Sequence, residues 1–198
     1  MKKMIQIFTG LILLAVFFTG CAKKPELSAE DTVRVFVQAF SAGDLEEART
    51  YLSDKNYPLT QPQNRLGEVI RTSLRVVSVS GDLSADGVNP MDVTLEMADS
   101  LQIMSRALML YWFEEQKAAG QDLEIPLQDS SKMTEIYQQI LPESESDQLP
   151  KVTALYIFPL IISGGQYKIV MDPHLEDQLN GNLTNNLENI YKIIEAVP

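Results

Sequence analysis

Ala29-Glu30-Asp31-Thr32-Val33-Arg34-Val35-Phe36-Val37-Gln38-Ala39-Phe40, running on into Ser41-Ala42-Gly43-Asp44-Leu45-Glu46-Glu47-Ala48, is the stretch that decides how this chain folds. Val33, Phe36, Val37 and Phe40 recur at i, i+3, i+4 and i+7, which puts them in one apolar stripe of a helix. Ser28 stands ahead of it as an N-cap, and Asp31 lies in the first turn beside the positive end of the helix dipole. Ser41-Ala42-Gly43-Asp44 ends that helix. Asp44 can cap a second one whose inner face is Leu45, Ala48, Tyr51 and Leu52.

Downstream, Pro58 and Pro62 mark a loop, and Leu66, Val69 and Ile70 face one way on a weaker helix. From Leu74 to Ser80 the residues become β-branched. A turn-rich stretch, Gly81 to Pro90, leads to Met91–Met97, where Met91, Val93, Leu95 and Met97 alternate with Asp92, Thr94 and Glu96. That pattern predicts a hairpin with one wet face. A longer helix is expected from Ser100 to Ala118, then a shorter one carrying Met133, Ile136, Tyr137 and Ile140, and a polar loop at 143–148. Val152 to Ile162 reads as a strand that turns at Gly164-Gly165 and returns over Gln166 to Met171. Pro159 within it lacks a ladder donor and is expected at an edge or a bulge. A last helix is expected over Asn186 to Val197. With no repeat and no linker, residues 28–198 form a single α+β domain.

The chain has 198 residues, 45% hydrophobic and 22% charged, as in an ordinary globular protein. Sixteen basic against 27 acidic residues give a net charge of -11. Such a balance excludes a general affinity for nucleic acid, which needs a positive field. One cysteine excludes an internal disulfide, one histidine excludes a multi-histidine metal site, and no motif for a cofactor is present.

At the amino terminus Lys2 and Lys3 precede an apolar run from Leu11 to Phe18, followed by Thr19-Gly20-Cys21. The run is shorter than the roughly 20 residues that span a bilayer, so it fits a signal peptide better than an anchor. Small residues followed at once by the only cysteine resemble the lipobox of bacterial lipoproteins, with Phe18 where Leu is usual. The resemblance implies cleavage between Gly20 and Cys21, and acyl chains (palmitate among them) on Cys21. Residues 1–20 would then be a cleaved signal and residues 21–27 a lipidated tether. The protein would sit on the extracytoplasmic face of a membrane: the outer membrane of a Gram-negative cell, the plasma membrane of a Gram-positive one. Loss of residues 1–20 removes two lysines and no acid, taking the charge from -11 to -13.

The opening 28–53 is similar to the start of nuclear-transport-factor-2-like domains, also called cystatin-like or ketosteroid-isomerase-like. In that family a long helix, a Gly-Asp turn and a short helix pack on a curved antiparallel sheet around a cone-shaped cavity. The resemblance therefore implies a cone-shaped α+β fold, with the helical stretch 100–141 as an elaboration in the middle and a helix at the C-terminus. The fold hosts enzymes, binding modules and assembly domains alike.

An isomerase or dehydratase of this fold needs a carboxylate base in the cavity and a tyrosine or protonated acid for the oxyanion. Asp92, Glu96, Tyr51, Tyr156 and Tyr167 are of the right types, although Asp92 and Glu96 lie on the polar side of their strand. Asp172, His174, Glu176 and Asp177 could gather round a divalent cation, but a strand-to-helix turn with a capping Asp explains them as well. The acids of 121–150 lack the spacing of an EF-hand loop and read as a solvated face. The least ordinary feature is the helix from Ser100, unbroken in apolar character from Ala107 to Phe113. Either it is sandwiched between the sheet and the segment after it, or Met104, Leu108 and Trp112 line a ligand cavity or partner groove. The sequence thus favours a membrane-anchored binding or interaction module that takes an apolar ligand or an envelope protein. An isomerase-type enzyme and a structural part of an envelope assembly are the alternatives.

Overall fold

The computed structural model describes residues 27–83, 87–119, 130–141 and 149–195, with the side chains of 112–119, 130–134, 187 and 191–195 outside the description. Gly20, Cys21, the signal and most of the tether lie outside the described residues, as do the polar loop at 143–148 and the acids of 121–150 other than Glu135. In chain order the elements are α1 (Ala29–Ala42), α2 (Leu45–Thr50), α3 (Arg65–Ser73), β1 (Arg75–Ser80), β2 (Asn89–Ala98), α4 (Ser100–Ala119), α5 (Ser130–Ile140), β3 (Lys151–Ser163), β4 (Gln166–Ile169), α6 (Pro173–Leu179) and α7 (Leu183–Glu195). The four strands form one antiparallel sheet in the order β1-β2-β3-β4. The fold is α+β.

Helix α1 begins where Ser28 accepts a hydrogen bond from the Asp31 N–H (3.0 Å). It ends in a Schellman arrangement: the Gly43 N–H donates to Phe40 O and the Asp44 N–H to Ala39 O, both at 3.0 Å. Gly43 sits at φ +80°, where a side chain is strained. The Asp44 carboxylate then accepts the Glu47 N–H (3.0 Å) and starts α2. Two adjacent residues thus close one helix and open the next, as the Gly-Asp pair predicts.

A Cβ at Gly43 would lie 2.4 Å from an Arg71 nitrogen, so the glycine also admits that side chain. Arg71, in the last turn of α3, donates from Nη1 to Phe40 O (3.1 Å) and Ser41 O (3.3 Å). A cation thereby meets the negative end of the α1 dipole.

The sheet has two chemically distinct faces. Met91, Val93, Leu95 and Met97 of β2 point inward, opposite Phe158 and Tyr156 of β3, and all are buried. Phe36 stacks on Phe40 with ring centres 6.0 Å apart and meets the edge of Phe158 at 6.4 Å. Burying each such ring contributes about 1.5–3 kcal/mol. Ile70 of α3 and Ile169 of β4 close the same core, both with no exposed surface. The opposite face carries Asp92, Thr94 and Glu96, and with them Leu155 and Ile157.

Gly164 and Gly165 both adopt positive φ, +60° and +76°, as a two-residue primed turn requires. Pro159 departs from the expected edge or bulge: β3 is an interior strand and Pro159 stands opposite Pro90 in β2. Its carbonyl accepts the Val170 N–H (2.8 Å), so its nitrogen faces the β4 side just beyond the end of that strand's ladder. The missing donor therefore falls where no partner strand continues. The C-terminal region holds two helices, and the second begins at Leu183, three residues before the expected Asn186. The short α6 is capped by Asp172, which accepts the Leu175 N–H (2.7 Å), and Pro173 occupies its first position.

Helix α4 is fixed at its start. The Asp99 carboxylate accepts the Gln102 N–H (3.0 Å), and the Ser100 hydroxyl donates to Gly181 O while accepting from Asn186 Nδ2 (2.7 Å). Ile103 and Met104 join the main core, whereas Ala107 and Tyr111 form a smaller cluster with Ile136 of α5. Among the described residues no helix is long and apolar enough to cross a membrane.

Candidate functional site

The first turns of α4 bury Ile103, Met104 and Ala107, which leaves Leu101, Ser105 and Met109, spaced four apart, on the other side. Ile140 and Leu141 at the end of α5, and Leu149 and Pro150 ahead of β3, stand across from them. Together they line an open groove of about 660 Å³, whose polar members among the described residues are Gln102, Ser105 and Arg106. Met109 is 70% exposed and Leu101 44%. Exposed methionine offers a soft, polarizable surface that fits irregular apolar shapes. Among the described residues the groove therefore has mostly apolar walls and one cation, Arg106, a composition that suits a binding site.

Of the side chains that sequence reasoning favoured, Met104 is buried in the core and Leu108 is half-buried against it. Trp112 falls on α4, its side chain outside the description. The helix carrying them is the one that borders the groove, but the groove is lined from the Leu101–Met109 side. The four-residue spacing of Leu101, Ser105 and Met109 lies open in the sequence, but the serine between the two apolar residues hides it as an apolar face.

A second, more polar cleft of about 260 Å³ lies between α2 and β4, lined among others by Leu27, Glu47, Tyr51, Lys55, Tyr167 and Lys168. The Tyr51 hydroxyl donates to the Glu47 carboxylate, and this bond, with burial, raises its pKa above the ordinary 10.0. The Lys168 ammonium donates to Thr50 O (2.7 Å), and its pKa is lowered by burial and by neighbouring Lys55.

The residues proposed for proton transfer are not brought together. Asp92 lies opposite Ile157 on the outer face of the sheet, and Glu96, on the same face, lies 3.5 Å from Lys151 Nζ. Tyr156 pairs with Val93 on the inner face, where burial raises its pKa. The sheet itself separates that tyrosine from both acids. Tyr51 and Tyr167 do share the polar cleft, with Glu47 rather than Asp92 or Glu96 as the nearby carboxylate.

The acidic residues near His174 are likewise engaged separately. Asp172 caps α6. Glu176 accepts from Tyr57 Oη (3.0 Å), Thr60 N (2.9 Å) and Thr60 Oγ1 (2.9 Å), and Asp177 accepts from Thr184 N (3.1 Å) and Asn185 Nδ2 (3.3 Å). His174 Nε2 lies 3.0 Å from Gln178 Nε2. Among the described residues no group of three or more His, Cys, Asp or Glu is placed to hold a metal ion.

Compared with known proteins, the chain matches no family model, no curated protein and no solved structure.

Proposed function

We propose that the chain is a lipid-anchored, extracytoplasmic binding module that takes an apolar, lipid-like molecule in the groove of α4. The observation that carries this reading is the groove itself, an exposed apolar surface framed by a rigid helix and edged by Arg106. Solvent-exposed apolar surface of this kind marks interaction sites in soluble proteins. The lipobox-like Thr19-Gly20-Cys21 supplies the other half: acyl chains on Cys21 would hold the module at a bilayer, where lipid-like molecules are abundant. The packing of α1 and α2 on an antiparallel sheet supports a nuclear-transport-factor-2-like architecture, although the inner face of this sheet is filled by Phe36, Phe40 and Phe158. An isomerase site finds no such support: the sheet lies between Tyr156 and the acids Asp92 and Glu96, and neither acid lines the cleft that holds Tyr51 and Tyr167.

A fluorescent fatty-acid probe titrated into the full-length protein in detergent tests the groove. Saturable binding that Met109→Asp weakens at least about tenfold is expected from placing a charge in an apolar wall. Binding untouched by that change would remove the groove from consideration. The anchor is tested separately by mass spectrometry: Cys21→Ser should yield a form without acyl groups, either released from the membrane fraction or left as the uncut precursor.

A second reading, a structural role in an envelope assembly, draws on Leu155 and Ile157. They are 63% and 58% exposed side by side on the outer face of β3.

A further inference from the structure

Arg71 is only 8% exposed, yet no carboxylate neutralises it among the described residues. Its Nη1 is spent on Phe40 O and Ser41 O at the end of α1. Its Nε is sealed from solvent without an acceptor. Nη2 lies against Gly43 and, among the described residues, is neither hydrogen-bonded nor sealed. Helix capping explains Nη1 alone. A buried guanidinium normally has a counter-charge, because the charged form loses its hydration on burial.

The side chain lines a cavity of about 360 Å³ between the 61–64 loop and α3. Gln61, Gln63 and Asn64 supply amides, and Arg65 a second guanidinium. The one acid there, Glu68, is already 3.0 Å from Arg65 Nη1. The wall is built for Arg71: Gly43 has no Cβ to block it, and Gln61 Nε2 donates to Gly43 O (3.4 Å), fastening the loop beside it. Arg71 thus meets three conditions for an anion site: it is held by two hydrogen bonds, it has a donor face that they do not use, and, among the described residues, no carboxylate is paired with its charge.

We propose that this cavity binds a small oxyanion, a phosphate or carboxylate group, on the Nη2 face of Arg71. The planar fork of a guanidinium suits two oxygens of one group, and the amides of the loop can donate to the others. The site is local: the chain as a whole carries -11, so the ligand is drawn by a recessed cation and not by a general positive field. The proposal is independent of the lipid anchor and of the α4 groove.

The sealed Nε–H exchanges slowly with water and gives a reporter in two-dimensional proton–nitrogen spectra of the full-length protein in detergent. Inorganic phosphate and, separately, acetate are titrated at constant ionic strength, with chloride as reference. Arg71→Lys assigns the signal by its loss. A saturable shift with either probe and none with chloride is expected; phosphate alone would define a phosphate site, and both together a general oxyanion site. Gln63→Glu, an exposed change that leaves the caps intact, should weaken the binding by about threefold to tenfold through like-charge repulsion. That variant keeps the test decisive if Arg71→Lys does not fold. Shifts that follow chloride equally, or no shift with either probe, would overturn the proposal.

Discussion

Helix α1 has one main apolar stripe and buries all of it, with Val33, Phe36, Val37 and Phe40 at 0–2% exposure and only Val35 half-buried beside it. Helix α4 is apolar on nearly every side from Ala107 to Phe113, and it buries Ile103, Met104, Ala107 and Tyr111 while leaving Leu101 and Met109 in solvent. Both helices meet the same core. The difference is that α1 has one orientation that hides its stripe, whereas α4 must expose something apolar however it is turned. Surplus apolar surface on a fixed helix is what makes a groove, so the less tidy sequence marks the region where binding is expected.

The contrast can be broken most severely at Phe36. Phe36→Ala should destabilise the protein by about 3–5 kcal/mol, because its stacked and edge contacts leave a cavity that cannot collapse. Tyr111→Ala, in the smaller cluster, should cost less; equal losses in urea unfolding would erase the distinction between the two helices. Gly43→Ala comes next, with about 1–2 kcal/mol from the left-handed backbone before the encounter with Arg71 is added. Ser28→Ala should cost about 1 kcal/mol by removing the N-cap of α1.

Smaller still is an effect confined to alkali. Burial, with the hydrogen bond to Glu176, pushes the Tyr57 pKa from 10.0 up to about 12, and burial pushes Tyr137 to about 12 as well. A pKa raised in the folded state means that the proton is held more tightly there. The associated stability is fully present below pH 10 and is lost as pH climbs towards 12. Tyr57→Phe should flatten part of that decline in a pH series of thermal midpoints. An unchanged slope would show that the loop at 57–60 does not depend on this bond. Last, Met109→Asp should shift stability by no more than about 0.5 kcal/mol, as befits an exposed site. A larger loss would show that Met109 belongs to the core, and the contrast with α1 would fail.

Periodicity carried the reading of α1, of β2 and of the Gly164-Gly165 turn, because in each a local rule and the packing agree. Ser28, Gly43 and Asp44 were legible for the same reason: their roles are settled within four residues of chain. Pro159 was misplaced because its environment depends on where another strand ends, which spacing along β3 does not contain. The start of α6 was legible from Asp172 as a cap after the strand, but its length was not, because Leu175 and Leu179 give only one apolar repeat. On α4 the helix was legible and its buried side was not, since an all-round apolar sequence does not say which face turns inward. Arg71 had no sequence signal at all: its neighbours, Phe40, Ser41 and Gly43, lie about thirty residues earlier and meet it only through tertiary packing.

The two margins of the sheet are treated alike. Beyond β4, Leu52 forms a bridge with Ile169, the Ser53 N–H donates to Ile169 O and the Ile169 N–H to Tyr51 O, each at 2.9 Å, so that border is already occupied by the chain's own backbone. On the far side, the register slips between Val76 and Ser78 and interrupts β1. Neither border offers a neighbour a long regular row of donors and acceptors, the usual template for ribbon growth. Both edges of the sheet are therefore poor templates for a second copy of the chain to extend.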